Sequence, residues 1–494
     1  TSASRTAKIV SPDFIACTRS AAALASGFFA GSSRTARTAE ARFLRAFAYF
    51  NMVKRYGGVP LILKAQQLSD SPEELYPKRA TEEAVYQFIL DEMNDIIDNR
   101  LLPDAYGAAD LGRPTLYAAA ALKSRAAMYA GSIASWGTVQ IDGLVGIPAD
   151  KKEHFWQESL NASNRLLYGS PFALYEKYPD DRSKNYRNIF LDENNCEVIF
   201  SEIYDGKSGK GHSWDMWQNP SGYNAWAGGQ QNCVYLEFVE SYENIDGSDP
   251  TIDREKVAQY YTWTLDELWG KKDPRFKASI YTQGTPWTHE GASVTLDYHV
   301  GIFVDGQWIN DGFYEGVPAL GVCANNWRPT PFGILKYLDE SSAMIPERYY
   351  SKTDWIVFRL GEIYLNFAEA AFELNKPDSA LWAVNKIRAR AGMPELQSIT
   401  REQIRHERKI ELAFEGNRYW DVRRWRTAVQ DLSHAWHGMR YKLDWATQKY
   451  YVEIVDNICG TPEPYFNEMH YYWPIAQSRT QQNPNLLPNN PGWR

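Results

Sequence analysis

The sequence predicts a mainly α-helical protein: a tetratricopeptide-like scaffold of helical hairpins that carries an irregular, loop-rich subdomain with short strands. Apolar residues recur at helical spacing in residues 13–130 and again beyond residue 355, as they do in helices that bury one face. Between these regions, residues 170–350 are rich in Gly, Pro, Asn, Asp, Trp and Tyr, which indicates loops. Short turns between the helices favour tandem hairpins that stack on one another.

This pattern divides the chain of 494 residues into three regions. Residues 1–169 are expected to form N-terminal helical repeats, and residues 170–354 an irregular ligand-binding loop region. Residues 355–494 are expected to form C-terminal helical repeats and a tail that packs on the same scaffold. The length supports more than one region, because a single hydrophobic core rarely grows beyond about 250–300 residues.

The N-terminal helices carry local start and stop signals. Residues 40–54 place Phe43, Phe47 and Phe50 on one stripe, and Gly57 or its neighbour can adopt the left-handed cap that ends such a helix. A second helix is predicted over residues 81–98, a third after the sequence Arg-Pro-Thr at residues 113–115, and a fourth over residues 152–168.

The C-terminal region carries similar start and stop signals. Helices are predicted from residue 355 onwards, over residues 378–391, and after Thr400, where Gln403 completes a capping box. A further helix would place Arg408, Glu411, Glu415 and Arg418 on one face, since their spacing is +3, +4, +3. We interpret these four residues as a structural helix face that is stabilised by ion pairs. The alternative is a catalytic pair of carboxylates.

The most distinctive local feature is an aromatic cluster in residues 211–229 (GHSWDMWQNPSGYNAWAGG). A sugar ring presents a C–H face that lies flat on an aromatic plane, and hydroxyls that need amide or carboxylate partners. The candidate ligand-binding residues here are Trp214, Asp215, Trp217, Asn219, Tyr223, Asn224 and Trp226. The alternative is a loop whose aromatic side chains pin it to the core. Further candidates in loop-like surroundings are Trp136, Trp287, Trp308 and Trp327.

Composition and motifs argue against several functional classes. The net charge of −8 and the absence of a basic stripe exclude a general nucleic-acid binder. The sequence lacks the nucleotide-binding, serine-hydrolase and zinc-protease motifs, so we predict no enzyme, no catalytic residue, no metal and no cofactor. No stretch of 18 apolar residues occurs that would span a membrane. A glycoside hydrolase with an unrecognised site remains an alternative.

Four segments together resemble the SusD/RagB family of nutrient-binding outer-membrane lipoproteins. They occur in family order along the chain, and together they are more specific than any one of them. They are residues 40–60 (EARFLRAFAYF through YGGVP), residues 358–394 (FRLGEIYLNFAEAA, then ALWAVNKIRARAGMP), residues 405–425 (RHERKIELAFEGNRYWDVRRW), and the tail at residues 472–493 (YWPIAQ, NPNL and PGW).

The resemblance implies a cell-surface binding protein that captures oligosaccharide and delivers it to a SusC-like TonB-dependent transporter. It implies a position on the extracellular side of the outer membrane, held by an N-terminal lipid anchor that is not present in this chain. A peptide ligand, as in the RagB branch, is the alternative on the same scaffold. Residues 1–39 fit the family pattern badly.

Overall fold

The computed structural model describes residues 34–206, 209–223, 229–324, 330–340, 348–460 and 464–493. These residues contain seventeen α-helices, so the predicted mainly α fold is confirmed. The helices are α1 Arg34–Tyr56, α2 Pro72–Leu75, α3 Glu82–Asp98, α4 Leu116–Trp136, α5 Lys152–Gly169, α6 Arg182–Asn188, α7 Trp214–Gln218, α8 Leu236–Glu240, α9 Arg254–Ala258, α10 Leu265–Trp269, α11 Pro274–Ser279, α12 Leu360–Glu373, α13 Pro377–Ala391, α14 Arg401–Glu411, α15 Arg418–Arg424, α16 Ala428–Leu432 and α17 Gln477–Gln482.

The strands are short and scattered, as the sequence predicts. They are β1 Val198–Glu202, β2 Thr262–Trp263, β3 Ile280–Tyr281, β4 Pro286–His289, β5 Ala292–Thr295, β6 His299–Val304, β7 Gln307–Ile309, β8 Phe313–Tyr314, β9 Val317–Pro318, β10 Gly333–Ile334, β11 Trp355–Arg359, β12 Gly438–Asp444 and β13 Lys449–Val455. Strand β11 occupies the first residues where helices were expected to resume, and it pairs with β1.

The long helices share one hydrophobic core that joins both ends of the chain. Helices α1, α3, α4 and α5 pack in sequence, and α12 packs against α4 and α5 before α13 and α14 complete the layer. Helix α4 is buried on nearly all sides, and its many alanines let neighbouring helices approach closely. At Gly131 a Cβ atom would lie 2.7 Å from the Trp156 ring, so the α4–α5 contact requires glycine there.

The predicted helix ends are confirmed at their caps. The Thr81 and Thr115 side chains accept hydrogen bonds from backbone N–H groups in the first turns of α3 and α4. Thr400 and Gln403 form the expected capping box at α14. Gly57 has a φ of 68°, which is the left-handed conformation expected after α1.

A five-stranded sheet in the order β2-β13-β12-β6-β7 joins the middle region to the C-terminal segment. Strands β12 and β13 lie in residues that were expected to continue the helical repeats, and that expectation is wrong for this hairpin. Met439, Tyr441 and Val452 point from it into a second core, built mainly from residues 234–338. The alternation of apolar and polar residues in β12 is the signal of a half-buried strand.

Glu411, at the end of α14, lies at the centre of a buried ion network. Its carboxylate pairs with Arg275 Nη1 at 2.9 Å, with Arg359 Nη1 at 2.7 Å and with the guanidinium of Arg390. Arg359 and Arg390 also pair with Glu197, at 2.7 and 2.8 Å. Burial alone would raise the pKa of Glu411, but the three guanidiniums hold that pKa well below its usual range.

The prediction that residues 408–418 share a single helix face is wrong, although Glu411 and Glu415 do form structural ion pairs. Helix α14 ends at Glu411, and Phe414 has a φ of 62° that turns the chain before α15 begins. Glu415 pairs with Arg359 and Lys336. Arg418 neutralises neither glutamate, because its side chain is 37% exposed and pairs with Asp431 at 3.2 Å.

A second buried network fixes α15 on the scaffold. Arg424 pairs with Glu369 of α12 and with Asp421, and it donates to the Ser132 hydroxyl of α4 at 2.6 Å. Arg408 Nε pairs with the other oxygen of Asp421 at 2.9 Å. These contacts bring residues of four helices, α4, α12, α14 and α15, to one group of charges, where the loss of a charged partner leaves a buried charge uncompensated.

We expect Glu411→Ala to destabilise the protein by about 3–5 kcal/mol, because it leaves buried guanidiniums without their shared carboxylate. Arg418→Ala is the matched control from the same segment, and should cost at most about 1 kcal/mol because its ion pair is partly exposed. Urea unfolding followed by circular dichroism measures both values. A larger loss for Arg418→Ala than for Glu411→Ala would contradict this account of the network.

The raised pKa of the buried Glu82 should make the stability of the protein depend on pH. Burial raises its pKa to about 7, while its carboxylate accepts hydrogen bonds from Tyr472 Oη at 2.7 Å and Gly146 N at 2.6 Å. Because the pKa of Glu82 is higher in the folded than in the unfolded state, its protonated carboxyl group stabilises the fold. This contribution is complete below the ordinary pKa of 4.5 and is lost as pH rises through 7.

We therefore expect Glu82→Gln, which mimics the protonated acid, to flatten the pH dependence of unfolding. Between pH 5 and pH 8 the wild type should lose up to about 3 kcal/mol relative to the variant. Urea unfolding at a series of pH values measures this difference, with Glu83→Gln on the same helix turn as control. Parallel curves for wild type and Glu82→Gln would rule the effect out.

Candidate functional site

The predicted aromatic loop folds against a second segment that precedes β11. His212 and Ser351 exchange backbone hydrogen bonds of 3.1 and 3.0 Å, and Tyr349 N donates to the Ser213 hydroxyl at 3.0 Å. Helix α7 follows immediately, with Trp217 N bonded to Ser213 O at 3.1 Å. The loop is therefore held on a short base of two segments of the chain, which is rigid because its backbone groups are paired.

Two of the predicted ligand residues anchor this base to the core. Trp214 packs against two hydrophobic clusters, and its Nε1 donates to Lys336 O at 3.1 Å. Asp215 is 2% exposed and accepts a hydrogen bond from Asp339 N at 3.0 Å. Burial raises the pKa of Asp215 to about 7. The ligand-facing role expected of Asp215 is therefore wrong in this structure, because its carboxyl group faces inward.

Asn219 also has an internal role. It is 1% exposed, and its Nδ2 donates to Tyr223 O at 2.6 Å, which closes the turn after α7. The expected contact between Asn219 and a ligand is wrong for the same reason of burial. Asn224 and Trp226 lie outside the described residues.

Trp217 and Tyr223 remain partly accessible. Trp217 is half-buried, and Arg348 lies over its ring with the guanidinium carbon 5.5 Å from the ring centroid. Tyr223 is half-buried beside His289, with ring centroids 4.8 Å apart. These two members of the cluster stay candidates for ligand contact.

The structure adds residues that the sequence analysis did not single out. Tyr349 and Tyr350 are 64% and 41% exposed, and they adjoin the loop through the Tyr349–Ser213 bond. We define Trp217, Arg348, Tyr349 and Tyr350 as the loop surface. The adjacent tyrosines ahead of β11 were visible in the sequence, but nothing local links them to residue 217.

The four remaining tryptophan candidates lie in different environments. Trp287 is 2% exposed and packs on Tyr281, so the prediction that it contacts ligand is wrong. Trp136 is half-buried on α4, where Arg405 lies 4.8 Å from its ring. Trp308 is half-buried on β7, in the five-stranded sheet. Trp327 lies outside the described residues.

Within the described ranges, no group of three or more His, Cys, Asp or Glu residues is arranged to hold a metal ion. In the same part of the chain, none of the helices has both the length and the apolar character needed to cross a membrane.

Two family models match the chain. The model described as SusD family matches residues 196–493, which is more than half of the sequence. The model described as starch-binding associating with outer membrane matches residues 30–128. The two matches together include both ends of the helical scaffold.

Individual relatives carry the same family name. A SusD-like protein of Bacteroides ovatus is 23% identical over 424 residues, which are 84% of this chain and 64% of the relative. A SusD-like protein of Formosa agariphila is 24% identical over 479 residues, 92% of this chain and 73% of the relative. The chain thus spans less than two thirds of the length of the Bacteroides ovatus protein.

Solved structures share the fold. A SusD-like protein of Bacteroides fragilis superposes with a TM-score of 0.72 at 26% identity, covering 96% of this chain and 83% of that one. A SusD-like carbohydrate-binding protein of Bacteroides fragilis gives a TM-score of 0.68 at 24% identity, with 96% and 84% coverage. A laminarin-binding SusD-like protein gives 0.57 at 19% identity, with 97% and 84% coverage. The family models and the shared helical scaffold establish that this chain belongs to the SusD family.

Proposed function

We propose that the chain binds oligosaccharide at the loop surface and passes it to a SusC-like TonB-dependent transporter. The observation that carries the proposal is the pair of exposed tyrosines, Tyr349 and Tyr350, held beside the half-buried Trp217 on a base that backbone hydrogen bonds tie together. A surface that keeps aromatic faces in water while it buries its carboxyl and amide groups is built for apolar ring contact.

The chemistry of a sugar fits this surface. The C–H face of a pyranose ring can lie on the Trp217 indole or on the exposed tyrosine rings. The Arg348 guanidinium and the tyrosine hydroxyls can donate hydrogen bonds to sugar hydroxyls. Because the base is rigid, little conformational entropy is lost when the rings are covered.

The family comparison supports a carbohydrate as the ligand class. One matching family model is described as starch-binding, and structures with the same fold include a carbohydrate-binding and a laminarin-binding protein. We propose a carbohydrate in preference to a peptide on this basis.

Binding without cleavage is part of the proposal. The buried carboxylates of α14 and the adjoining turn are neutralised by Arg275, Arg359 and Arg390 or by Lys336. A general acid needs a proton at neutral pH, whereas the pKa of Glu411 is held well below its usual range. These carboxylates therefore have a structural role.

We further propose that the protein is held on the extracellular side of the outer membrane by an N-terminal lipid anchor. The family-model description of association with the outer membrane supports this location. A position next to the transporter would let weakly bound oligosaccharide transfer directly to it.

We expect Trp217→Ala and Tyr349→Ala each to weaken polysaccharide binding at least about tenfold, since truncating an aromatic anchor commonly costs more than 1 kcal/mol. Native gels containing amylopectin or laminarin measure the retardation. Tyr168→Ala is the matched control, because Tyr168 is 70% exposed on α5. Normal retardation of both loop-surface variants would contradict the assignment, and binding of peptides without any glycan would favour the alternative ligand class.

The proposed partnership predicts a stable complex in the outer membrane. When the full-length protein is tagged in its source bacterium and the membrane is solubilised in mild detergent, we expect a large β-barrel protein to copurify. Mass spectrometry of the purified material identifies the partner. A tagged protein that elutes alone at low salt would contradict this part of the proposal.

A further inference from the structure

We propose that the outer face of the five-stranded sheet is a second carbohydrate-binding surface, separate from the loop surface. This inference rests on the proposed function, because it assigns the same ligand class to a second place. Phe303, Trp308 and Tyr451 form the centre of this sheet surface. Their ring centroids are 4.9 to 5.6 Å apart, and every pair is tilted or edge-to-face.

Strand register places the three rings on one side of the sheet. Phe303 of β6 lies directly opposite Trp308 of β7, and Tyr451 of β13 lies opposite Lys442 of β12. Side chains alternate between the two faces of a strand, so the neighbours Tyr441 and Val452 point the other way. Those two residues belong to the buried core of the middle region.

The three rings are not part of that core. Each is half-buried, and none belongs to the hydrophobic clusters of the described residues. The core therefore lies behind the sheet, and Trp214 and Tyr223 of the aromatic loop pack against that core. The two surfaces are built from different segments: the sheet surface from β6, β7 and β13, and the loop surface from α7 and the residues ahead of β11.

Charged side chains flank the rings and can reach sugar hydroxyls. Lys442 Nζ lies 5.1 Å from the Trp308 ring centroid and 2.9 Å from Glu453. Arg440 lies 3.7 Å from the same glutamate, and the side chains of Arg440 and Glu453 are 44% and 40% exposed. The sheet surface thus offers both donors and an acceptor to the hydroxyls of a sugar ring.

The size of the surface favours a sugar over a protein partner. Three half-buried aromatic side chains leave on the order of 200 Å² exposed in total, whereas a stable protein interface needs about 800 Å² on each partner. Such an area matches one or two sugar rings. A polysaccharide long enough to touch both surfaces would be held more tightly than by either one, since the second contact is intramolecular.

The test compares wild type, Trp217→Ala, Trp308→Ala, the double variant and the Tyr168→Ala control on native gels containing amylopectin or laminarin. We expect Trp308→Ala to raise the apparent Kd for the retarding polysaccharide about tenfold, and the double variant to lose retardation. Trp308→Phe keeps a ring in the contact with Phe303 and Tyr451, so it should retain most of the binding. Thermal unfolding confirms that each variant is folded.

The results of this test distinguish a failure of the sheet surface from a failure of the proposed function. If Trp308→Ala and Trp308→Phe both migrate like Tyr168→Ala while Trp217→Ala loses retardation, the sheet surface is overturned and the proposed function stands. If the wild type itself is unretarded on both gels, the proposed function is overturned and the sheet surface with it. Loss of retardation in Trp308→Ala, with retention in Trp308→Phe, supports the sheet surface whatever Trp217→Ala does.

Discussion

The structure depends on a carboxylate that has no access to water. Glu411 is fully buried and is shared by Arg275, Arg359 and Arg390, which come from the middle region, from β11 and from α13. A buried charge is tolerated only when its partners are held in place. The network therefore constrains how the irregular region sits on the helical layer. Each of these three guanidiniums binds two or more carboxylates, with hydrogen bonds in a fixed geometry.

The same network reaches the aromatic loop through Lys336. Lys336 Nζ binds Glu415 at 2.6 Å, Tyr186 Oη at 2.8 Å and Ala413 O at 2.9 Å, while Lys336 O accepts the indole hydrogen bond of Trp214. Burial lowers the pKa of Lys336 to about 8, and Glu415 opposes that shift. The hydrogen bond between Trp214 and Lys336 thus ties the aromatic loop to the buried ion network.

The sequence was most informative where structure is local. Helix starts at Thr81, Thr115 and Thr400 were predictable because each cap bonds a backbone group in the adjoining turn. The sheet was not predictable, since β6 and β12 lie far apart in sequence and each is too short to indicate its partner. Only part of the loop surface could be predicted from the sequence, for the same reason. Trp217 belongs to a visible aromatic cluster, whereas Tyr349 joins it only through bonds between distant segments.

The aromatic loop contains both core anchors and residues that stay partly exposed, and only the second group belongs to the ligand surface that we propose. Trp214 and Asp215 face inward, and their hydrogen bonds to Lys336 O and Asp339 N hold α7 in place. That fixed base is what allows Trp217, three residues later, to stay partly in water beside Arg348. Sequence alone cannot divide the loop in this way, because Asp215 has the same chemistry whether it meets a sugar hydroxyl or a buried N–H. Burial decides the role, and burial depends on contacts with distant segments such as the one containing Asp339.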